Sequence, residues 1–135
     1  MKTKSFLTAS DVRKIIDASE KFAAGNDWHV TISVVDDGGQ LLGLLRMDGA
    51  APLSATISPG KAHAAALGRC ESGVFEERVN GGRTAFLSVP LPTMLEGGVP
   101  IIVDGHVIGA VGVSGVKSTQ DVEICKAGIA ALGIA

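Results

Sequence analysis

Val99-Pro100-Ile101-Ile102-Val103-Asp104-Gly105-His106-Val107-Ile108-Gly109-Ala110-Val111-Gly112-Val113 carries the clearest structural instruction in the chain. Two runs rich in β-branched residues meet at Asp104-Gly105, a pair that accepts the positive φ angles of a tight hairpin turn. The stretch predicts antiparallel strands over 99–103 and 107–113. Gly109 and Gly112 lie inside the second strand, where a missing side chain marks close approach by a ligand or by another backbone. Upstream, residues 84–98 hold Pro90, Pro92 and a closing Gly97-Gly98 pair. That makes them the least regular segment and a candidate binding loop, with Gly98 at its edge.

A less distinct hairpin comes earlier. Val30, Ile32 and Val34 alternate with Thr31 and Ser33, Asp36-Asp37-Gly38-Gly39 supplies a turn, and apolar residues resume over 41–46. Helical spacing accounts for much of the remainder. Thr8-Ala9-Ser10-Asp11 has the form of a capping box ahead of Val12, Ile15, Ile16, Phe22 and Ala23, and that helix ends near Gly25. An alanine-rich helix carries residues 61–67. Ser58-Pro59 reads either as its cap and first residue or as a kink in a helix begun near Leu53. A short helix over 74–79 stops at Asn80-Gly81-Gly82, and Ser118-Thr119-Gln120-Asp121 caps a last helix reaching about Leu132. Hairpins separated by helices predict a single α+β domain over 1–135, an antiparallel sheet covered by helices and not a doubly wound parallel one.

Composition bounds the function. At 135 residues the chain has room for one hydrophobic core. Twelve Lys and Arg against fourteen Asp and Glu give a net charge of −2, with no basic patch, which argues against nucleic acid as a partner. Only 19% of residues are charged while 46% are hydrophobic, so the surface has little polar material and a homo-oligomer is expected. Cys70 and Cys125 are too few for a disulfide framework and too far apart for a zinc pair, which points to a reducing compartment. The first residues lack an apolar signal segment, so a cytoplasmic protein is expected. The longest apolar stretch, 106–116, is broken by glycines and falls short of the roughly 20 residues a membrane helix needs.

Chemistry-bearing residues are sparse. His29, His63 and His106 are not spaced as a metal cluster. A single histidine can still hold a haem iron as one axial ligand. His63 is the candidate, because the small alanines around it leave room for a flat apolar cofactor; a histidine satisfied by solvent or by the fold is the plainer alternative. Lys61 and Arg46 could bind a carboxylate or a haem propionate, or could be solvated cations. Asp121 and Glu123 fit a helix N-terminus without any metal. Residues 109–115 lack the lysine of a phosphate-binding loop, and no Gly-x-Ser-x-Gly elbow is present. Cys125, within the last helix, reads as a small hydrophobe.

Several short segments taken in order resemble one family. They are Arg46-Met47-Asp48-Gly49-Ala50, Lys61-Ala62, Gly97-Gly98-Val99-Pro100-Ile101, Asp104-Gly105, the run from Ile108 to Gly115, and Gln120-Asp121. The pattern is similar to the HbpS/GlcG-like family, which includes the C-terminal domain of PduO, and it covers essentially the whole chain. The resemblance implies a profilin-like fold, assembly into dimers or larger oligomers, and haem binding in some members. The chain departs from the family at Ser58-Pro59-Gly60, which should shorten or bend the helix before Lys61, and at His63, where members commonly carry Thr or Tyr.

The ligand-binding candidates are therefore His63, Lys61, Arg46, Gly98, Gly109 and Gly112, with His63 as the haem-iron ligand. The leading expectation is a small oligomeric protein binding haem or a related tetrapyrrole. A cofactor-independent enzyme moving a proton on a small carboxylated metabolite, and a structural or partner-docking domain, are the alternatives.

Overall fold

The structure, a computed structural model, describes residues 1–134. Its elements are α1 (Ala9–Gly25), β1 (Thr31–Asp36), β2 (Leu41–Arg46), α2 (Ser54–Gly68), α3 (Gly73–Asn80), a 3-10 turn (Thr84–Ser88), β3 (Gly98–Val103), β4 (His106–Ser114) and α4 (Ser118–Ala130). The strands form one antiparallel sheet in the order β2-β1-β4-β3. This is the expected α+β domain, and both hairpins fall where their turn residues place them. Asp104 and Gly105 both take positive φ, 50° and 76°.

Strand alternation sends two different kinds of residue to the two faces. Ile32 and Val34 of β1, Val111 and Val113 of β4, and Val99 and Ile101 of β3 pack with Val12, Ile15 and Ile124 into the main core, under α1 and α4. The opposite face carries Thr31, Ser33, Val35, Ala110 and Gly112, and α2 lies on it. There the helix backbone rides directly on the strands. A Cβ at Gly112 would fall 2.2 Å from the Ser58 carbonyl oxygen, and one at Gly98 would fall 2.2 Å from that of Lys61. Hydroxyls replace the usual apolar stripe. Thr31 Oγ1 and Ser54 Oγ are 2.8 Å apart, Ser33 Oγ and Ser58 Oγ are 2.8 Å apart, and Ser58 donates to the Gly112 carbonyl at 2.8 Å.

Pro59 lies inside α2, which starts at Ser54, so the reading of a helix begun near Leu53 describes it and the cap reading does not. The expected shortening is absent. Ser58 and Gly60, on either side of the proline, are buried, and those contacts hold the helix where one backbone hydrogen bond is missing. The capping box of α1 is present: Asp11 N–H donates to Thr8 Oγ1 at 3.2 Å and Thr8 N–H to Asp11 Oδ2 at 2.9 Å. At α4 the cap shifts by one residue. Lys117 is the N-cap, its N–H donating to Gln120 Oε1 at 3.2 Å, and Asp121 is freed for another role. No helix among the described residues is long and apolar enough to cross a membrane.

Candidate functional site

α2 presents His63 toward the β1–β2 turn. The ring is half-buried, and Nδ1–H donates to the Gly39 carbonyl at 2.9 Å. Gly39 is required twice over: its φ is +79°, and a Cβ there would come within 2.6 Å of Nδ1. A donor role for Nδ1 leaves the neutral ring with its lone pair on Nε2, which is how second-shell carbonyls commonly orient a ligating imidazole.

His63 lines a cleft of about 410 Å³ whose walls include Val35, Leu41, Pro59 and Pro92, with Thr56 and Thr93 as its hydroxyl-bearing residues. A second cleft of about 560 Å³ shares Thr56, Pro92 and Thr93 and continues past Ile57, Val79 and Leu87. The segment between them is part of the irregular loop singled out in the sequence. It presses on α2 at Gly60, where a Cβ would fall 2.2 Å from Thr93 Oγ1. Gly39 was read only as a turn residue and Gly60 only as part of a bend in the helix, neither as part of the site. A double glycine after two aspartates signals a turn, but nothing local shows that a histidine 24 residues on lies over it.

The other candidates are placed elsewhere. Lys61 is 4% exposed; its ammonium donates to Asp121 Oδ2 and to the Val113 carbonyl, each at 3.0 Å. It is therefore neither a solvated cation nor open to an incoming anion. Burial pushes the Asp121 carboxyl up, and the neighbouring Lys61 charge draws it partly back. Arg46 is exposed and borders a separate cleft of about 520 Å³ with Glu20, His29 and Asp48. Leu41, in the His63 cleft, and Arg46 are five residues apart on one strand, which at about 3.3 Å per residue is roughly 16 Å.

Gly98, Gly109 and Gly112, expected to border a ligand, face protein instead. The first and third accommodate α2, and a Cβ at Gly109 would meet the Val35 carbonyl at 2.5 Å and Leu7 Cδ1 at 2.6 Å. Cys125 is buried with Sγ 3.3 Å from the Gly97 carbonyl, and burial pushes its thiol far above the usual range. Among the described residues no group of three His, Cys, Asp or Glu is placed to hold a metal ion. A haem iron needs no such group, since the porphyrin supplies four of its ligands.

The four-stranded antiparallel sheet with helical layers on both faces defines a single-domain α+β protein. A family described as "Haem degrading protein HbpS-like" matches residues 7–130. Protein GlcG of Escherichia coli (strain K12) is 57% identical over 114 residues, 84% of this chain and 85% of its own length. The crystal structure of a double mutant of Streptomyces reticuli HbpS superposes with a TM-score of 0.89 at 29% identity, covering 98% of this chain and 91% of that one. The crystal structure of a PduOC–haem complex gives 0.86 at 26% identity, covering 97% and 98%. The chain belongs to the HbpS-like family.

Proposed function

We propose that this protein binds haem or a related tetrapyrrole in the cleft beside α2, where His63 Nε2 would hold the iron. The observation that carries the reading is the tether of His63 Nδ1 to the Gly39 carbonyl, which fixes the ring and leaves Nε2 free at an apolar cleft. The donor set suits haem: one imidazole tethered at Nδ1, and apolar walls from Val35, Leu41 and Pro92 that favour a flat hydrophobic ring. Bound there, haem would supply a redox-active iron. The chain supplies the ligand, its tautomer and a largely apolar surround. The family description, and the haem held by the PduOC relative, support the same reading.

Self-association goes with it. β2 is an edge strand whose Leu41, Leu42 and Leu44 are 55%, 43% and 39% exposed, and Leu41 also borders the cleft. We infer that a second copy covers this edge. The two cysteines are free, in keeping with a cytoplasmic location.

Hemin titrated into the purified protein is expected to give a saturable shift of the Soret band. His63→Ala is expected to abolish or alter that shift while leaving the circular dichroism spectrum unchanged. No shift with the parent protein overturns haem binding; an identical shift in His63→Ala overturns the ligand assignment.

A further inference from the structure

We propose a second ligand site, for the carboxylate or phosphate end of a small metabolite, where Lys4, Arg69 and His106 converge. These residues come from the N-terminal arm, the residue after α2 and the start of β4. They border a cleft of about 320 Å³ completed by Ile102, Gly105 and Val107. Asp37 brings the two cations together: its carboxylate takes the Lys4 ammonium, and its backbone carbonyl accepts from Arg69 Nη1 at 2.6 Å.

Arg69 Nη1 also donates to the Ala66 carbonyl at 3.0 Å, and the residue itself is held in the left-handed region at φ 56°. The guanidinium is thereby fixed in place with its Nη2 and Nε donors left over. Two cations against the Asp37 carboxylate leave a net positive charge among these three groups, and no carboxylate side chain is among the lining residues. A fixed guanidinium beside an ammonium is suited to charge-assisted hydrogen bonds with an oxyanion. Ile102 and Val107, partners across the β3–β4 ladder, offer an apolar surface for a short carbon chain. The cleft lies at the lower end of small-molecule site volumes, so the ligand is small.

The site stands apart from the haem reading. Arg69 holds the Asp37 carbonyl and His63 holds that of Gly39, so both grip the same turn but belong to different clefts.

Inorganic phosphate and sodium acetate, titrated separately at ionic strength held constant with chloride, distinguish the two possible headgroups. Heteronuclear NMR is expected to show saturable shifts at the Gly105 and His106 amides with one or both, at a Kd of about a millimolar. Lys4→Gln and His106→Gln should each weaken binding by about fivefold or more and leave the hemin titration unchanged. Absence of saturable shifts with both probes overturns the proposal, as does undiminished binding in both variants. Should a variant fold poorly, the location of the shifts in the parent protein decides alone.

Discussion

Lys61 and Asp121 are 60 residues apart, yet each completes the other inside the protein. Removing one partner leaves an uncompensated buried charge, so Lys61→Ala or Asp121→Ala should each cost about 3–5 kcal/mol. Replacing both, as Lys61→Met with Asp121→Leu, should cost less than either single change. Urea denaturation checks this, and single losses below about 1 kcal/mol would refute it. The pair was hidden in the sequence because Asp121 already had a sufficient local explanation at a helix start, and Lys61 looked like any helical lysine. The signal available was its company of small alanines, Ala62, Ala64, Ala65 and Ala66, all of them buried. Asp11, by contrast, was legible. Hydrogen bonds from the Thr8 backbone and hydroxyl hold its carboxyl below the ordinary 3.8. A carboxyl depressed by folding stabilises fully above its unfolded value, and that contribution is lost as pH falls through the folded one. Thr8→Ala should therefore cost about 1 kcal/mol at neutral pH and reduce the acid-induced loss of stability below about pH 4. Equal pH slopes in both proteins would sink the assignment.

Among the elements, α2 was left between two readings, a cap at Ser58-Pro59 and a helix begun near Leu53, and its observed start at Ser54 agrees with the second. Its sheet-facing side is serine, glycine and alanine, so its first half offers no apolar periodicity from which to choose between them. The hairpins were legible because their turns need particular residues; the start of the helix stayed open, because close backbone approach replaces bulk. The same contrast separates two glycines. At Gly105 nothing lies within 4 Å of an added Cβ, whereas at Gly112 the Ser58 carbonyl and the Ala62 nitrogen lie at 2.2 and 2.6 Å. Gly105→Ala should cost about 1 kcal/mol through backbone angle alone. Gly112→Ala should cost about 3 kcal/mol or more, because α2 must lift from the sheet. Chemical denaturation of both variants gives the comparison, and equal losses would show that packing does not set the difference.

For the molecule as a whole, the low charge content foretold an apolar surface but not its position, which depends on which strand ends at the sheet's edge. Leu44→Lys on β2 should shift sedimentation toward monomer while leaving thermal stability nearly unchanged, since Leu44 is already substantially exposed. Unaltered sedimentation would refute a contact between copies at this edge. The histidine of the candidate site could be singled out from sequence, but its cleft could not, because the turn, α2 and the loop around Pro92 meet only through the fold. The link between Lys61 and Asp121 has a consequence at this scale too. It joins helices on opposite sides of the sheet, so neither layer can peel away without stranding an ion in a dry interior. Backbone amides in the middles of α2 and α4 should exchange with deuterium through a common opening event, as parts of one cooperative unit.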